Sequence, residues 1–270
     1  MSNATLSIAV MSGKGGVGKS NLALNIGCAI AAKNKATLLM DCDLGLANLD
    51  VLLNISTHGN LQDVILNDRQ VKEIIISLTD TGTGAFDILP AASGVPELAE
   101  MDSDVRNMLL RRLEPELGAY DYVILDLGAG IHQTVQSFAA MSAVRIIVMT
   151  PEPTSLTDSY ALIKVLSANL GIKDFLVIVN EIENKKDEKE SFQKLEMACA
   201  KFLNINPVLL GSVRLDPKLP EAVRKQTPLL RIFPNSPAAL DIIELANRLE
   251  KVKGTMLENL SRQPVLRPLR

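Results

Sequence analysis

The sequence predicts an α/β fold in which a doubly wound, mostly parallel β-sheet carries helices on both faces. Three observations support it. Short apolar runs recur along the 270 residues, helix-length amphipathic stretches separate most of them, and the runs are apolar throughout rather than alternating. Such runs are typical of strands buried on both faces of a parallel sheet, and strands that alternate with helices place the helices on both faces. The predicted strands are Leu6 to Met11, Ala36 to Met40, Phe86 to Leu89, Tyr122 to Leu125, Val144 to Met149, Phe175 to Val179 and Pro207 to Gly211.

The first predicted strand leads directly into a glycine-rich loop that ends in a lysine and a serine. Its glycines let successive backbone N–H groups converge on one point, and the helix that follows directs the positive end of its dipole there. Lys19 is then placed to reach the β- and γ-phosphates of a nucleotide, and the Ser20 hydroxyl to ligate Mg²⁺. The alternative, a glycine-rich turn that binds nothing, is disfavoured by the flanking strand and helix. We expect ATP or ADP and Mg²⁺ as cofactors, held by Gly13, Lys14, Gly15, Gly16, Val17, Gly18, Lys19, Ser20 and Asn21.

Aspartates follow two of the other predicted strands. Asp41 and Asp43 come after the second, and Asp126 follows the apolar run Tyr122 to Leu125 in the Walker B pattern. Because the carboxyl ends of parallel strands share one edge of a sheet, these carboxylates can serve the Mg²⁺ ion and orient an attacking water. Helix capping or a turn is the alternative, since aspartate often provides either. We predict Ser20, Asp41 and Asp126 as metal ligands.

Lys14 is the unusual member of the glycine-rich loop. The segment Lys-Gly-Gly-Val-Gly-Lys resembles the deviant Walker A motif of the MinD/ParA family of ATPases, and Asp41 to Asp50 is similar to their first switch segment. The resemblance implies a MinD-like P-loop NTPase fold that forms a homodimer when ATP is bound. It also implies that Lys14 touches the phosphates held by the other subunit and that Asp43 aligns the attacking water; an ordinary surface lysine is the alternative for Lys14. Lys14, Lys19 and Asp43 are therefore the predicted catalytic residues.

Further stretches narrow the resemblance within that family. They are similar to the flagellar-number regulators of the FlhG/FleN type, and the similarity extends from Leu6 to Leu249. Gly128 stands where MinD itself carries proline, which favours the flagellar group. The stretches are Leu89 to Gly94, Asp126 to Ile131, Glu152 to Lys164, Ala222 to Gln226 and Phe233 to Ala238.

The same resemblance assigns residues to the nucleotide base. Asn180 ends the predicted strand Phe175 to Val179, where the family places an asparagine that both donates to and accepts from adenine. A turn residue is the alternative for Asn180. Arg214 and Asp216 follow the last predicted strand, and the family places residues at these positions near the base.

The resemblance implies a slow Mg²⁺-dependent ATPase that acts as an ATP-controlled dimerisation switch and regulates flagellar number or placement. The implied partners are flagellar regulators: a transcriptional activator, the SRP-type GTPase FlhF or components of the switch complex. A MinD/ParA-type positioning protein in cell division or DNA segregation is the alternative. An iron–sulfur carrier ATPase ranks last, because Cys28, Cys42 and Cys199 supply no Cys-x-x-Cys pair.

Composition and the end of the chain limit where the protein works. The formal charge of −3 gives no overall basic field, so direct nucleic-acid binding is not expected. Scattered cysteines and the lack of a secretory signal or a membrane-length apolar run indicate a cytoplasmic protein. We predict a MinD-like P-loop ATPase domain over residues 1–253 and a flexible tail over 254–270, because Gly254, Pro264 and Pro268 interrupt a helix.

The tail carries a short apolar face with basic residues nearby. A weak, ATP-dependent contact at the inner face of the cell membrane is one interpretation of this face. The other is that its side chains pack against the domain. The residues concerned are Val252, Met256, Leu257 and Leu260, with Lys251, Lys253 and Arg262 beside them.

Overall fold

The structure of the chain is a computed structural model that describes residues 4–43, 49–78, 85–91 and 103–268. Residues 44–48 of the predicted switch segment and residues 92–94 of one similar stretch lie outside these ranges, as do residues 269–270 of the predicted tail.

The described strands form a sheet of eight, in the order β3-β4-β2-β5-β1-β6-β7-β8. Neighbouring strands are parallel except for β3 and β4, which are antiparallel. The predicted fold class and all seven predicted strands are confirmed, whereas β3 was missed because two residues are too few to show a pattern. The strands are β1 (Leu6–Ser12), β2 (Thr37–Cys42), β3 (Ile76–Ser77), β4 (Phe86–Leu89), β5 (Tyr122–Ala129), β6 (Val144–Met149), β7 (Leu176–Ile182) and β8 (Val208–Arg214).

Helices connect the strands and cover both faces of the sheet. The described helices are α1 (Lys19–Ala31), α2 (Leu49–Leu53), α3 (Leu61–Leu66), α4 (Ser103–Leu117), α5 (Gln133–Met141), α6 (Pro153–Leu170), α7 (Lys185–Leu203), α8 (Lys218–Arg224), α9 (Leu229–Ile232) and α10 (Pro237–Leu260), with a short 3₁₀ turn at Val71–Glu73.

Side-chain alternation along the strands divides the core into two layers. In β1, Leu6, Ile8 and Val10 belong to the layer that includes α1 and α10, which we call the α1 face. Ala9 and Met11 belong to the opposite layer, which includes α4, α5, α6 and α7. All seven residues of β1 are buried, since it lies in the middle of the sheet and packs on both faces.

Local signals set several helix ends. Asn184 begins α7 with a capping box, accepting from the backbone N–H groups of Lys186 and Asp187 while the Asp187 carboxylate accepts from the Asn184 N–H. Ser236 accepts from the Ala239 N–H at the start of α10. Gly171, in the left-handed region with φ 66°, ends α6.

The C-terminal segment differs from the prediction. Helix α10 continues through Gly254 to Leu260, and the chain then returns to the sheet, where the Ser7 hydroxyl donates to the Val265 carbonyl at 2.7 Å. The Val265 N–H donates to Glu114 at 2.7 Å, and Leu266 is buried in the core. A flexible tail is therefore wrong for residues 254–268. A glycine inside a helix costs only about 1 kcal/mol, less than the burial of a large apolar side chain contributes.

The apolar face of the predicted tail packs against the domain. Leu260 is buried, and Val252 and Met256 lie partly buried against the core of the α1 face. Leu257 is exposed. The interpretation in which these side chains pack on the domain is confirmed for Val252, Met256 and Leu260. None of the helices in the described ranges combines the length and the apolar character that crossing a membrane requires.

Candidate nucleotide site

The glycine-rich loop between β1 and α1 forms an open cradle at the carboxyl edge of the sheet. Gly16 and Gly18 have φ angles of 80° and 82°, in the left-handed region that glycine adopts without strain. A Cβ atom added to Gly15 or Gly16 would meet no heavy atom within 4 Å. The backbone at the turn therefore faces open space, which fits a phosphate group held by N–H donors.

Lys19, Ser20 and Asp126 meet beneath this cradle. The Lys19 ammonium donates to Asp126 Oδ1 at 2.5 Å and to Ser20 Oγ at 3.3 Å. Lys19 is 7 % and Asp126 1 % exposed. Burial raises the pKa of the Asp126 carboxyl, and the positive charge of Lys19 opposes that shift. The predicted convergence of the loop lysine and the Walker B aspartate is thus present in the fold.

The oxygens at this point suit Mg²⁺. Ser20 hydrogen-bonds to the Asp126 carboxylate, so a hydroxyl and a carboxylate oxygen lie side by side. Mg²⁺ prefers oxygen ligands and usually retains water and substrate phosphates beside one or two protein groups. Within the described ranges, no three acidic, histidine or cysteine side chains are grouped to hold a metal ion. The donor set therefore fits a cation that arrives with a nucleotide rather than one held by the protein alone.

Asp41 lies beside Asp126 but has a structural role of its own. The two residues are paired across β2 and β5 and, by alternation, both face the α1 side of the sheet. The Asp41 carboxylate accepts from the backbone N–H of Asp43 at 3.0 Å and of Leu49 at 3.3 Å. The alternative of a turn or cap is confirmed for Asp41, and its role as a metal ligand stays a prediction.

Asp43 lies close to Gly128, near the carboxyl end of β5. A Cβ atom on Gly128 would come within 3.2 Å of Asp43 Oδ1. The negative charge of Asp43 also acts on Asp126, whose pKa it helps to raise. The fold therefore brings the predicted water-aligning carboxylate to the cluster, although the two aspartates are far apart in sequence.

Lys14 is held on the outer side of the loop by residues that sequence reasoning did not assign to the site. Its ammonium donates to Glu152 at 2.7 Å and to Thr154 Oγ1 at 3.2 Å. The hydrogen bond between Lys14 and Glu152 raises the pKa of Lys14 and lowers that of Glu152. The position of Glu152 just after β6 was the available signal, because the carboxyl ends of parallel strands carry ligand sites.

Helix α6 packs tightly against the start of the glycine-rich loop. A Cβ atom on Gly13 would lie 2.2 Å from the backbone oxygen of Asp158 in that helix. Only glycine allows this approach, so the position of α6 and the path of the loop are coupled.

Asn180 links β7 to the same loop. Its Nδ2 donates to the Val17 carbonyl at 2.9 Å, and the side chain is 1 % exposed. Asn180 lies inside β7, so the alternative of a turn residue is wrong. Among the atoms that the structure describes, its Oδ1 has no hydrogen-bond partner. A buried acceptor of this kind fits a nucleotide base, and adenine contact stays a prediction.

Arg214 and Asp216 build the corner between β8 and α10. Arg214 forms a bidentate pair with Asp241, both bonds at 2.8 Å. The Asp216 carboxylate accepts from the backbone N–H of Lys218 at 2.8 Å and of Ala238 at 3.0 Å. Both side chains thus have structural partners, and contact with the base stays a prediction for each.

The three cysteines are free thiols in separate elements. Burial raises the pKa of Cys28 to about 12 and that of Cys199 to about 11, and it places that of Cys42 well above its ordinary value. The three residues lie in α1, β2 and α7, so they supply no neighbouring pair of thiols of the kind that holds an iron–sulfur cluster.

Comparison with known proteins identifies the family. The profile of the CobQ/CobB/MinD/ParA nucleotide binding domain matches residues 8–229. The chain belongs to this family. This MinD/ParA-type protein is 33% identical to the antiactivator FleN of Pseudomonas aeruginosa over 243 residues, which cover 90% of the chain and 85% of FleN. It is 32% identical to the flagellum site-determining protein YlxH of Helicobacter pylori over 248 residues, which cover 90% of the chain and 81% of YlxH.

A solved structure supports the same assignment. The septum site-determining protein MinD of Pyrococcus horikoshii, complexed with Mg-ADP, matches with a TM-score of 0.75 and 26% identity. The match covers 93% of this chain and 98% of that one. The predicted resemblance to the MinD/ParA family and to its FlhG/FleN group is confirmed. The chain accordingly contains a nucleotide-binding domain, and the glycine cradle as its nucleotide site stays a prediction.

Proposed function

We propose that the protein is a Mg²⁺-dependent ATPase whose ATP-bound form is a homodimer and whose slow hydrolysis releases it. This switch regulates flagellar number or placement through partner proteins. The observation that supports the ATPase most directly is the meeting of Lys19, Ser20 and Asp126 beneath an open glycine cradle. The similarity to FleN and YlxH supports the flagellar role.

Each residue of the cluster has a part in phosphate chemistry. Lys19 exchanges its bond to Asp126 for one to the β- and γ-phosphates, and Ser20 and Asp126 hold the Mg²⁺ ion. Mg²⁺ supplies charge neutralisation on the phosphate oxygens. Asp43 orients the attacking water, a task suited to a carboxylate that lies beside Gly128 and close to Asp126.

Lys14 supplies the dimer part of the proposal. Its side chain is 41 % exposed, and its ammonium is paired with Glu152 at 2.7 Å. An exposed ion pair of this kind holds its partners only weakly, because water and salt screen the two charges. Lys14 can therefore leave Glu152 for the phosphates of a nucleotide bound to a second copy of the chain, where it stabilises the charge that develops during hydrolysis.

Three lysine variants test the nucleotide and dimer steps. Lys19→Ala should abolish nucleotide binding, whereas Lys14→Ala should bind within about twofold of wild type, because its ligand lies in the other subunit. Lys35→Ala is the control, since Lys35 is exposed at the opposite edge of the sheet. Binding is measured with a fluorescent ATP analogue, and dimerisation by sedimentation velocity with a non-hydrolysable analogue. A Lys14→Ala protein that dimerises like wild type contradicts the role in trans.

Asp43→Ala tests the hydrolysis step separately. The variant should bind ATP and remain dimeric, but its turnover should fall by about 10²–10⁴-fold, the usual contribution of a positioned acid or base. Phosphate release under single-turnover conditions measures the rate. Hydrolysis at the wild-type rate refutes the water-aligning role.

The cellular role is tested by deletion and by counting flagella per cell in electron micrographs. The deletion strain should show an altered number or placement, restored by the wild-type gene and not by Lys19→Ala. Candidate partners for pull-down with ATP are the transcriptional activator, the SRP-type GTPase FlhF and the switch complex. Unchanged flagella would remove the flagellar role and leave the ATPase proposal intact.

A positioning protein in cell division or DNA segregation is the second candidate. The structural similarity to MinD of Pyrococcus horikoshii, a septum site-determining protein, favours it. The same deletion strain distinguishes the two functions. Minicells, filaments or plasmid loss with normal flagella would support the second candidate.

A further inference from the structure

Two buried side-chain oxygens at the carboxyl edge of the sheet lack hydrogen-bond partners among the residues that the structure describes. Thr150 follows β6 directly and is 4 % exposed, and Asn180 in β7 is 1 % exposed. In the described part of the chain, Thr150 Oγ1 and Asn180 Oδ1 are the buried side-chain nitrogen or oxygen atoms that have no partner. Buried polar groups are nearly always hydrogen-bonded, so two such atoms at one place point to a shared ligand.

The two residues are neighbours across the sheet. Strands β6 and β7 are parallel, and the last residues paired between them are Met149 and Val179. Thr150 and Asn180 each come directly after this pair, at the same edge of the sheet. Val148 and Ile178, two residues earlier, both pack on the α1 face, and Asn180 reaches the loop before α1 on that face. Adjacent strands lie about 4.8 Å apart, a separation that one bridging water spans.

Asn180 is anchored at only one end of its amide. Its Nδ2 donates to the Val17 carbonyl at 2.9 Å. The backbone of Gly18 is also close, since a Cβ atom added there would lie 2.4 Å from Nδ2. This bond decides which end of the amide donates. The terminal torsion of asparagine is soft, so one bond leaves the amide free to swivel about the Val17 contact. A second bond at Oδ1 removes that freedom.

We propose that Thr150 is a positioning residue for base recognition, because a buried water donates to Asn180 Oδ1 and accepts from the Thr150 hydroxyl. Asn180 Oδ1 has two lone pairs, so it holds this water and still accepts from a base. Adenine presents an amino donor where guanine presents a carbonyl acceptor. Fixing the direction of Oδ1 therefore favours adenine over guanine. The inference rests on the proposed function, since it takes Asn180 as the residue that reads the base.

Variants at Thr150 separate the hydroxyl from the shape of the side chain. Thr150→Val removes the hydroxyl and keeps the branched shape, whereas Thr150→Ser keeps the hydroxyl. Thr37→Val is the matched control, because Thr37 is also buried and its hydroxyl donates to the Lys35 carbonyl in the loop before β2. Dissociation constants for ADP and GDP are measured by calorimetry, with melting temperatures as the check on folding.

Thr150→Val should lower the ratio of the GDP dissociation constant to the ADP dissociation constant about tenfold. A change of this size matches the free energy that a single hydrogen bond contributes. Thr150→Ser should restore the ratio, and Thr37→Val should leave it unchanged. If Thr150→Val does not fold, Thr150→Ala replaces it, since Ala and Ser are both smaller than Thr and only Ser retains the hydroxyl.

The outcomes distinguish this inference from the proposed function. The role of Thr150 is overturned if the variant without the hydroxyl keeps the wild-type ratio of GDP to ADP dissociation constants. It is also overturned if Thr150→Ser lowers that ratio as much as the variant without the hydroxyl does. If Asn180→Ala loses the preference for ADP at the same time, base reading by Asn180 stands and only the Thr150 inference fails. A wild-type protein that binds neither nucleotide overturns the proposed function and this inference together.

Discussion

The buried leucine of the C-terminal segment gives a sharp test of how this chain is held together. Leu266 is 3 % exposed and belongs to the core layer opposite α1, although it lies beyond the end of the last helix. The backbone of the preceding residue is fixed on both sides, by Ser7 of β1 and by Glu114 of α4. Leu266→Ala removes three carbon atoms from this core and leaves those hydrogen bonds in place.

The expected loss follows from burial. At about 0.8 kcal/mol per buried methylene, three carbons contribute about 2.4 kcal/mol, to which any remaining cavity adds. A segment near the chain end can partly collapse into the space that the side chain leaves. We therefore expect the free energy of unfolding to fall by about 2–3 kcal/mol, in the lower part of the range for buried Leu→Ala substitutions. For a domain of this size, this corresponds to a fall in melting temperature of about 4–12 °C.

Urea unfolding followed by far-UV circular dichroism measures the change, since the chain contains no tryptophan. Leu257→Ala is the matched control, because Leu257 in α10 is 49 % exposed and should cost less than about 0.5 kcal/mol. The midpoint should shift for Leu266→Ala with an unchanged slope. Equal stability of the two variants would show that Leu266 is not buried in solution and would refute the packed C-terminal segment.

Three other predictions follow from the site. Gly13→Ala should destabilise the protein by about 1–3 kcal/mol, because the added Cβ would collide with the Asp158 backbone. Gly15→Ala is the control and should leave the melting temperature unchanged, since a Cβ atom there meets open space. Equal melting curves for the two variants would contradict the close approach of α6. Carboxyl ¹³C NMR should show a pKa for Glu152 that is below its ordinary value in wild type and closer to that value in Lys14→Ala. The reason is that Lys14 stabilises the charged form of Glu152, and the stability that this ion pair contributes is lost only as the pH falls through the lowered pKa. Identical titration midpoints in the two proteins would rule out the Lys14–Glu152 bond. EDTA should stop ATP hydrolysis, and addition of MgCl₂ should restore it. EDTA should leave the melting temperature of the nucleotide-free protein unchanged, because no acidic cluster in the described residues holds a metal by itself. A shift in that melting temperature would indicate a resident ion.

Much of the nucleotide site was predictable because its parts follow strands whose pattern is local. The glycine-rich loop is recognised from the strand before it, the helix after it and the spacing of its glycines. Asp126 is recognised from the buried run that precedes it, and a parallel sheet then requires both segments to meet at one edge. The meeting of Lys19 with Asp126, 107 positions away, follows from these rules without any knowledge of side-chain packing.

Other contacts of the site could not be predicted, since they depend on which loops pack together. Glu152 and Thr154 lie 138 and 140 positions from Lys14, and no local pattern in either segment indicates the bond. Asn180 was assigned by resemblance, but its bond to Val17 depends on how β7 lies beside the glycine-rich loop. The turn formed by Asp41 was an open alternative, which its bonds to the backbone N–H groups of Asp43 and Leu49 decided.

The sequence by itself determined the alternating fold, the phosphate loop and the family, because periodicity, glycine conformation and strand ends are properties of neighbouring residues. The tertiary structure alone decided the resting partner of Lys14, the bond of Asn180 to Val17 and the packed C-terminal segment. In that segment, Ser7 meets Val265 across 258 positions. The prolines there correctly predicted that a helix could not continue. They carried no information about the core that buries Leu266, because burial depends on the space that distant elements leave between them.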